Sequence, residues 1–196
     1  MKRVEFKKAF NNGYNKNNIY IEKGVKVSKG AVVWSGCIVL GDSVLGKSEY
    51  LPYCHIESAI VGEGCKIGPF ARLRPKTVVG DSCKIGNFVE IKNSRIGKGT
   101  KASHLTYIGD AEVGRECNFG CGVVFCNYDG KKKHKTIIGD NVFVGSNVNF
   151  VAPLTIGDNV IIGAGSTITE EVPSFALAIA RSRQTNKLDR NKKEDT

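Results

Sequence analysis

The sequence predicts an all-β protein, a parallel β-helix with one inserted loop and a C-terminal tail, and three observations support this fold. An aliphatic residue returns every sixth position from Ile21 to Ile168, with one four-residue slip after Leu51. Glycine often follows the aliphatic residue, as in Ile67-Gly68. A six-residue period fits neither a helix of 3.6 residues per turn nor an alternating strand, and it is typical of a parallel β-helix.

The third observation is a small residue four positions after the aliphatic one. Each hexad is expected to form one short strand and one turn, so that three hexads close a triangular coil and the chain builds on the order of eight coils. The small residues would line the narrow part of the interior column, and they are Ala31, Cys37, Ser43, Cys65, Ala71, Thr77, Cys83 and Cys117. By the same count His55 takes a small-residue position, where we expect a structural, partly buried side chain.

The pattern divides the chain into three parts. Residues 1–18 lack the hexads and are expected to be an N-terminal arm or linker, residues 19–172 form the β-helix, and residues 173–196 form a basic tail. The largest interruption inserts KKKHKT after CNYDG (126–130) before the repeat resumes at Ile138. Insertions in repeat proteins map to loops on one face, often the binding face.

The cysteines and histidines argue against disulfides and against a metal site. The chain has seven Cys, an odd number, without a Cys-x-x-Cys, and four of them take the small hexad position. Buried free thiols are therefore expected. His55, His104 and His134 are too irregularly spaced to supply the three zinc ligands of a β-helix carbonic anhydrase. No metal is predicted.

The net charge of +10 does not predict a nucleic-acid partner. Much of the excess lies at the two ends and in one loop, residues 131–135, with no interleaved aromatic side chains to stack on bases. A basic loop in a regular solenoid instead suits an anionic small molecule. No apolar run approaches the ~20 residues of a membrane span, and the start MKRVEFKKAF lacks the apolar core of a signal peptide. We expect a cytoplasmic protein without a membrane partner.

Several longer motifs carry a specific resemblance. They are GPFARLRP (68–75), IGNFVEIK (85–92), GKGTKASHLTYIGDAEVG (97–114), CNYDG (126–130), KTIIGDNVFVGS (135–146), VAP (151–153) and IGAGST (162–167). They closely resemble the left-handed β-helix acetyltransferase domain of the bifunctional glucosamine-1-phosphate N-acetyltransferase/N-acetylglucosamine-1-phosphate uridyltransferase family. The resemblance implies left-handed coiling, a homotrimer and acetyl-CoA as cosubstrate. It also implies acetylation of glucosamine 1-phosphate for UDP-N-acetylglucosamine synthesis.

The resemblance also implies roles for residues on the acceptor side. His104 matches the catalytic base, which removes a proton from the amine as it attacks the thioester. Glu90 matches a residue near that amine, and Asn127 one that positions the acceptor. The remaining matches bind the sugar, through Tyr107 and Asn118, and its phosphate, through Arg74, Lys92 and Lys133.

On the coenzyme side, the resemblance implies that Ser146, Ala164 and Arg181 hold acetyl-CoA, with Tyr128 beside them. Ser146 can donate to the developing oxyanion, and Arg181 suits the phosphates of the coenzyme. Cys121 stands beside this site where the family usually has Ala, and Ser103 replaces a Gly before the base.

Three points limit what the resemblance implies. No part of the chain resembles the uridyltransferase domain, so uridyl transfer and its Mg²⁺ are not predicted. A related amino sugar is an alternative acceptor. A noncatalytic hexapeptide-repeat assembly or regulatory subunit is an alternative function, which loss of His104 or of CNYDG would have favoured.

Overall fold

A computed structural model describes residues 1–188, and every regular element in that range is a β-strand. The chain opens with β1 (Arg3–Glu5), β2 (Phe10–Lys16) and the long strand β3 (Ile19–Val27). The strands that follow stack into three parallel ladders, which are the three faces of a triangular coil.

The first face contains β4 (Val32–Trp34), β7 (Glu49–Tyr50), β10 (Lys66–Ile67), β13 (Lys84–Asn87), β16 (Lys101–His104), β19 (Asn118–Phe119), β22 (Phe143–Val144), β25 (Ile161–Ile162) and β27 (Leu177–Ala178). The second face contains β5 (Ile38–Leu40), β8 (His55–Glu57), β11 (Arg72–Leu73), β14 (Glu90–Lys92), β17 (Tyr107–Gly109), β20 (Val124–Cys126), β23 (Asn149–Val151) and β26 (Thr167–Ile168). The third face contains β6 (Val44–Leu45), β9 (Ala59–Val61), β12 (Thr77–Val79), β15 (Arg95–Ile96), β18 (Ala111–Val113), β21 (Thr136–Ile138) and β24 (Leu154–Ile156). β3 begins both the second and the third ladder.

Each strand pairs in parallel with its equivalent one coil away, so that Ile67 lies beside Ile85 and Ile85 beside Ala102. The first-face sheet has ten strands, and removing the antiparallel β1 leaves nine, one for each of nine coils. Neighbouring strands of a sheet lie about 4.8 Å apart. The predicted parallel β-helix and its inserted loop between β20 and β21 are confirmed, and the left-handed sense stays what the resemblance implies.

The six-residue spacing shortens to five at several turns, as between Ile91 and Ile96 and between Ile108 and Val113. The predicted register is wrong after Leu45. Tyr50, not Leu51, fills the interior, where it is fully buried and its hydroxyl donates to the Gly46 carbonyl oxygen over 3.2 Å. Two turns shortened by one residue each replace the predicted slip of four residues. As a result Cys54 takes the small inward position, and His55 lies outward on β8, half-buried.

The predicted small residues are all buried inside the coil edges, which confirms their placement. A small residue with a hydrogen-bond donor suits this position. The Cys65 thiol, for example, lies 3.0 Å from the Gly80 carbonyl oxygen of the next coil. Cys83 and Cys117 contact glycine carbonyls in the same way, at 3.1 Å each. The expectation of buried free thiols holds for Cys37, Cys54, Cys65, Cys83 and Cys117, whereas Cys121 is exposed and Cys126 half-buried.

Glycine follows the aliphatic residue because successive coils touch through their backbones at the edges. A Cβ atom on Gly97 would lie 2.4 Å from the carbonyl carbon of Gly114 in the next coil. A Cβ atom on Gly86 would lie 1.9 Å from the carbonyl oxygen of Ser103. Any other residue at these positions would push two hydrogen-bonded coils apart.

The segment before residue 19 has no hexads, yet it forms two strands. β1 pairs antiparallel with β4, and β2 pairs antiparallel with β3. Phe6, Phe10 and Tyr14 form an aromatic cluster, with ring centroids 5.4 to 6.5 Å apart, which covers the first coil. The segment therefore closes one end of the column.

At the other end, part of the predicted tail joins the solenoid. β27 pairs with β25 on the first face, and the rest of the tail up to residue 188 has no strand. Residues 189–196 of that tail lie outside the described residues. Between residues 1 and 188, no helix has the length and apolar character that crossing a membrane requires.

Candidate active site

His104 and the predicted coenzyme residues form one row along an edge of the solenoid. This first edge is where the chain passes from the first face to the second. Strand register places Cys121, Ser146 and Ala164 above His104 on three successive coils, and Arg181 follows at the top. All five are exposed. At about 4.8 Å per coil, the row from His104 to Ala164 spans about 14 Å parallel to the solenoid axis.

The His104 ring projects outward and is exposed, and one of its nitrogens is held by a hydrogen bond. Nδ1 lies 2.7 Å from Oδ1 of Asn87, the residue beside it in the preceding coil. The Thr106 hydroxyl donates to the His104 carbonyl oxygen over 2.8 Å, which fixes the backbone at the turn. The imidazole therefore keeps one nitrogen in a hydrogen bond and leaves its ring exposed at the first edge.

Three predicted phosphate-binding cations converge at the far side of the second face. Arg74 Nη1 lies 2.8 Å from Glu90 Oε1, and Lys92 Nζ lies 3.1 Å from Asp110 Oδ2. The inserted loop brings Lys133 close to Lys92, and the neighbouring Lys92 amine with its charge lowers the pKa of Lys133. The Lys133 amine and the Asp110 carboxylate beside it raise the pKa of Lys92. An anion bound here would relieve the repulsion between the cations.

Asp110 organises this cluster, although the motifs did not single it out. Its carboxylate accepts hydrogen bonds from Lys92, from Asn93 at 2.6 Å and from the buried Asn127 amide. Burial alone would raise the pKa of Asp110, but these hydrogen bonds hold it below its ordinary value. Because Asn127 begins the inserted loop, Asp110 ties the loop to the cation cluster.

Gly109 is a second residue that sequence reasoning missed. A Cβ atom there would lie 2.4 Å from the Tyr107 hydroxyl oxygen and 2.6 Å from the Asn127 amide nitrogen. The Tyr107 and Asn127 side chains therefore meet over a bare backbone, 3.5 Å apart. The Asn127 amide nitrogen already donates to Tyr107 and to Asp110. Only the carbonyl oxygen of the Asn127 side chain is left to accept a hydrogen bond from a ligand.

The inserted loop has a defined shape. Asp129 accepts hydrogen bonds from the His134 ring at 2.6 Å and from two backbone amides of the loop. These hydrogen bonds, above all the one from His134, lower the pKa of Asp129 to about 2. The Tyr128 hydroxyl donates to the Gly130 carbonyl oxygen over 2.7 Å. The backbones of Tyr128 and Lys133 form an isolated antiparallel β-bridge. The Lys-rich loop is thus a folded support for Lys133.

Two predicted site residues stand apart from the rest. Tyr128 lies in the inserted loop, at the edge between the second and third faces, and Asn118 lies on the first face beside Lys101. The row above His104 runs along a different edge from either residue. One chain therefore brings together the predicted acceptor residues on and beside the second face, which are Glu90, Tyr107, Asn127, Arg74, Lys92 and Lys133. It does not bring Asn118 to these acceptor residues, nor Tyr128 to the coenzyme row.

The described part of the chain also offers no candidate metal centre. Among residues 1–188, no three His, Cys, Asp or Glu side chains are close enough together to hold a metal ion.

Comparison with known proteins finds the same repeat. The family model of bacterial transferase hexapeptide (six repeats) matches residues 58–93 and 135–170. These two segments belong to the stacked coils of the structure. Among curated proteins, it is similar to bifunctional protein GlmU, which confirms the predicted resemblance.

The similarity to GlmU is extensive over the solenoid. The GlmU of Caldanaerobacter subterraneus subsp. tengcongensis is 63% identical over 146 residues, which are 74% of this chain and 32% of that protein. The GlmU of Nitratidesulfovibrio vulgaris is 54% identical over 139 residues, 71% of this chain and 30% of that protein. The chain therefore spans about a third of the length of these relatives.

A solved structure supports the fold alone. LpxA, a UDP-N-acetylglucosamine acyltransferase from Bacteroides fragilis, matches with a TM-score of 0.70 and 16% identity, over 84% of this chain and 70% of that chain.

Replacing Asp110 by Asn should destabilise the protein by about 1.5 to 3 kcal/mol at pH 7, because hydrogen bonds to a charged group are lost. The pKa of Asp110 is lowered in the folded state from 3.8. The contribution of Asp110 to the free energy of unfolding is therefore fully present above pH 3.8. It is lost as pH falls through the pKa of Asp110 in the folded protein. Urea denaturation at pH 7, 4 and 3 should show wild type and D110N converging in acid. Asp42→Asn, at an exposed turn, controls for the charge, and a constant difference at all three pH values would contradict the assignment.

Proposed function

We propose that this chain transfers the acetyl group of acetyl-CoA to the amine of glucosamine 1-phosphate. The observation that carries the proposal is the placement of an exposed imidazole and a cation cluster at opposite sides of the same narrow face. Glu90 and Tyr107 lie towards His104, whereas Lys92 lies two residues further along β14, about 6.6 Å away. A sugar laid across the face would present its amine to His104 and its phosphate to Arg74, Lys92 and Lys133.

The chemistry assigned to the first edge is that of general-base catalysis. The amine nitrogen attacks the thioester carbonyl carbon while His104 takes its proton, and the carbon–sulfur bond then breaks to release the coenzyme thiol. Ser146, two coils above the base, would donate to the oxyanion. Arg181 at the top of the row would hold the coenzyme phosphates. An extended coenzyme lying along the row would contact each of these residues in turn.

We further propose that the active species is a homotrimer. The separation of Asn118 from the acceptor residues on the second face, and of Tyr128 from the coenzyme row, supports this, since a neighbouring chain could supply both. Exposed apolar side chains also stack on the first face, where Phe143 lies beside Ile161 and Ile161 beside Leu177. Such a stripe favours contact with another chain. The seven free thiols favour a reducing compartment, and we place the enzyme in the cytoplasm.

His104→Ala should lower kcat by about 10²- to 10⁴-fold with little change in coenzyme affinity, because only proton removal is lost. A thiol-release assay with acetyl-CoA and glucosamine 1-phosphate measures the rate, and circular dichroism checks the fold. His55→Ala, the loss of a half-buried outward histidine on the same face, is the matched control. A variant at position 104 with near-wild-type kcat would refute the role of His104. Absence of acetyl transfer by wild type with every amino sugar tried would favour a noncatalytic subunit.

Arg74→Ala should raise KM for glucosamine 1-phosphate by about 10- to 100-fold, the loss of one charge-assisted contact, and leave KM for acetyl-CoA nearly unchanged. The effect should shrink for glucosamine, which lacks the phosphate. Lys84→Ala removes an exposed cation from the first face and serves as control. An equal loss with both acceptors would mean that Arg74 supports the face through Glu90 and does not bind phosphate.

Sedimentation of the wild-type chain should give a trimer. If Asn118 acts across the chain boundary, refolding a mixture of His104→Ala and Asn118→Ala chains should give more activity than the mean of the two parents, because some mixed sites contain neither substitution. Each variant refolded alone is the control. A fully active monomer would overturn the trimer, and a trimer without rescue would place Asn118 in the site of its own chain.

A further inference from the structure

We propose that Asn87 is a positioning residue that selects the tautomer of His104, so that Nδ1 carries the proton and Nε2 presents its lone pair to the acceptor amine. This inference rests on the proposed function for its catalytic consequence. The tautomer itself can be measured without any activity.

The contact between the two side chains is short and in register. Asn87 ends β13, and His104 occupies the equivalent position at the end of β16. The distance from Asn87 Oδ1 to His104 Nδ1 is 2.7 Å. A carbonyl oxygen can only accept, so the hydrogen of this bond must be on Nδ1. Nε2 of a neutral ring is then unprotonated, which is the form a general base needs.

The backbone holds Asn87 firmly enough to impose this choice. The Leu105 amide donates to the Asn87 carbonyl oxygen over 3.0 Å, which links the turns that follow the two residues. On the other side, Gly86 allows the close approach, because a Cβ there would lie 1.9 Å from the Ser103 carbonyl oxygen. The next residue, Phe88, stacks on Phe70 with ring centroids 5.4 Å apart. Asn87 is thus fixed from both directions along the chain.

A neutral acceptor suits this position better than a carboxylate would. A carboxylate would stabilise the imidazolium by charge and keep the ring protonated at higher pH. The Asn87 amide orients the ring without that penalty. Free imidazole side chains favour the other tautomer only modestly, so one hydrogen bond of about 1 kcal/mol is enough to change the population of the reactive form several-fold.

The direct test is nitrogen NMR of the protein labelled with ¹⁵N-histidine, at a pH where His104 is neutral, with His104→Gln to assign its signals. We expect the hydrogen on Nδ1 in wild type and a shift towards Nε2 in Asn87→Leu. Asn87→Asp keeps an acceptor and should retain the wild-type tautomer. A wild-type ring with its hydrogen on Nε2, or no change of tautomer in Asn87→Leu, would overturn the assignment.

Kinetics then separates positioning from folding. Asn87→Leu should lower kcat about 5-fold, the change of tautomer population that one hydrogen bond of about 1 kcal/mol produces, with KM for acetyl-CoA nearly unchanged. Asn87→Asp should recover much of kcat at high pH and move the acidic limb of the kcat/KM profile to higher pH. Asn141→Asp makes the same charge change at a distant edge and should leave the profile unmoved.

The outcomes distinguish this inference from the proposed function. An Nδ1–H tautomer in a protein without acetyltransferase activity would refute the function and keep the positioning role. An unchanged acidic limb in Asn87→Asp, in an active protein, would refute the role of Asn87 and keep the function.

Discussion

The structure depends on the hydrogen bonding of each coil to the next, in register and about 4.8 Å apart. At edge positions such as Gly97, this arrangement leaves no space for a Cβ atom. Inside the coil, next to each edge, there is space only for small side chains. The arrangement also places outward side chains directly beside their equivalents one coil away, which are 17 or 18 residues further along the chain for Lys66, Lys84 and Lys101. In such a fold, residues that act together can lie in a row on successive coils, and a short sequence motif does not reveal such a row.

Stacked rows carry an electrostatic cost, because like charges on neighbouring strands repel one another. The second face offsets this cost by diagonal pairing. Arg74 pairs with Glu90 instead of lying against Lys92 alone, and Lys92 pairs with Asp110. Lys133, which comes from the inserted loop, has its pKa lowered by the neighbouring cations, first by Lys92 and then by Arg74. Its charge is the one that a bound phosphate would stabilise most, since the other two cations already have carboxylate partners.

The sequence predicts the coil, the inserted loop and the interior small residues, because all three follow from a strict period. It misplaces Leu51 and His55. Two turns that are each one residue shorter bring the six-residue count back into register at Val61, and so does a single insertion of four residues. The strands β1 and β2 are missed because their antiparallel pairing follows no hexad. Asp110 and Gly109 are missed because their importance lies in contacts made by residues of other coils.

The site residues divide along the same line. The resemblance names His104 and the cations, whereas Asn87 becomes visible only when His104 is traced one coil back, to a residue 17 positions earlier. The coil length is the signal that could have found it. Applying that offset to any outward functional residue of a β-helix predicts its neighbours, provided that the shortened turns have been located first.

The geometry explains why an edge, and not a flat face, suits the proposed reaction. An edge lets two ligands approach from directions nearly at right angles: a long coenzyme parallel to the axis along the row above His104, and a compact sugar phosphate across the second face. The base stands where the two paths cross. The inserted loop follows the second face and borders the acceptor path, but it lies at the wrong edge to cover the coenzyme of its own chain. In the proposed trimer a neighbouring chain would supply that cover, so the proposed assembly and the proposed reaction would impose the same requirement on the surface of this solenoid.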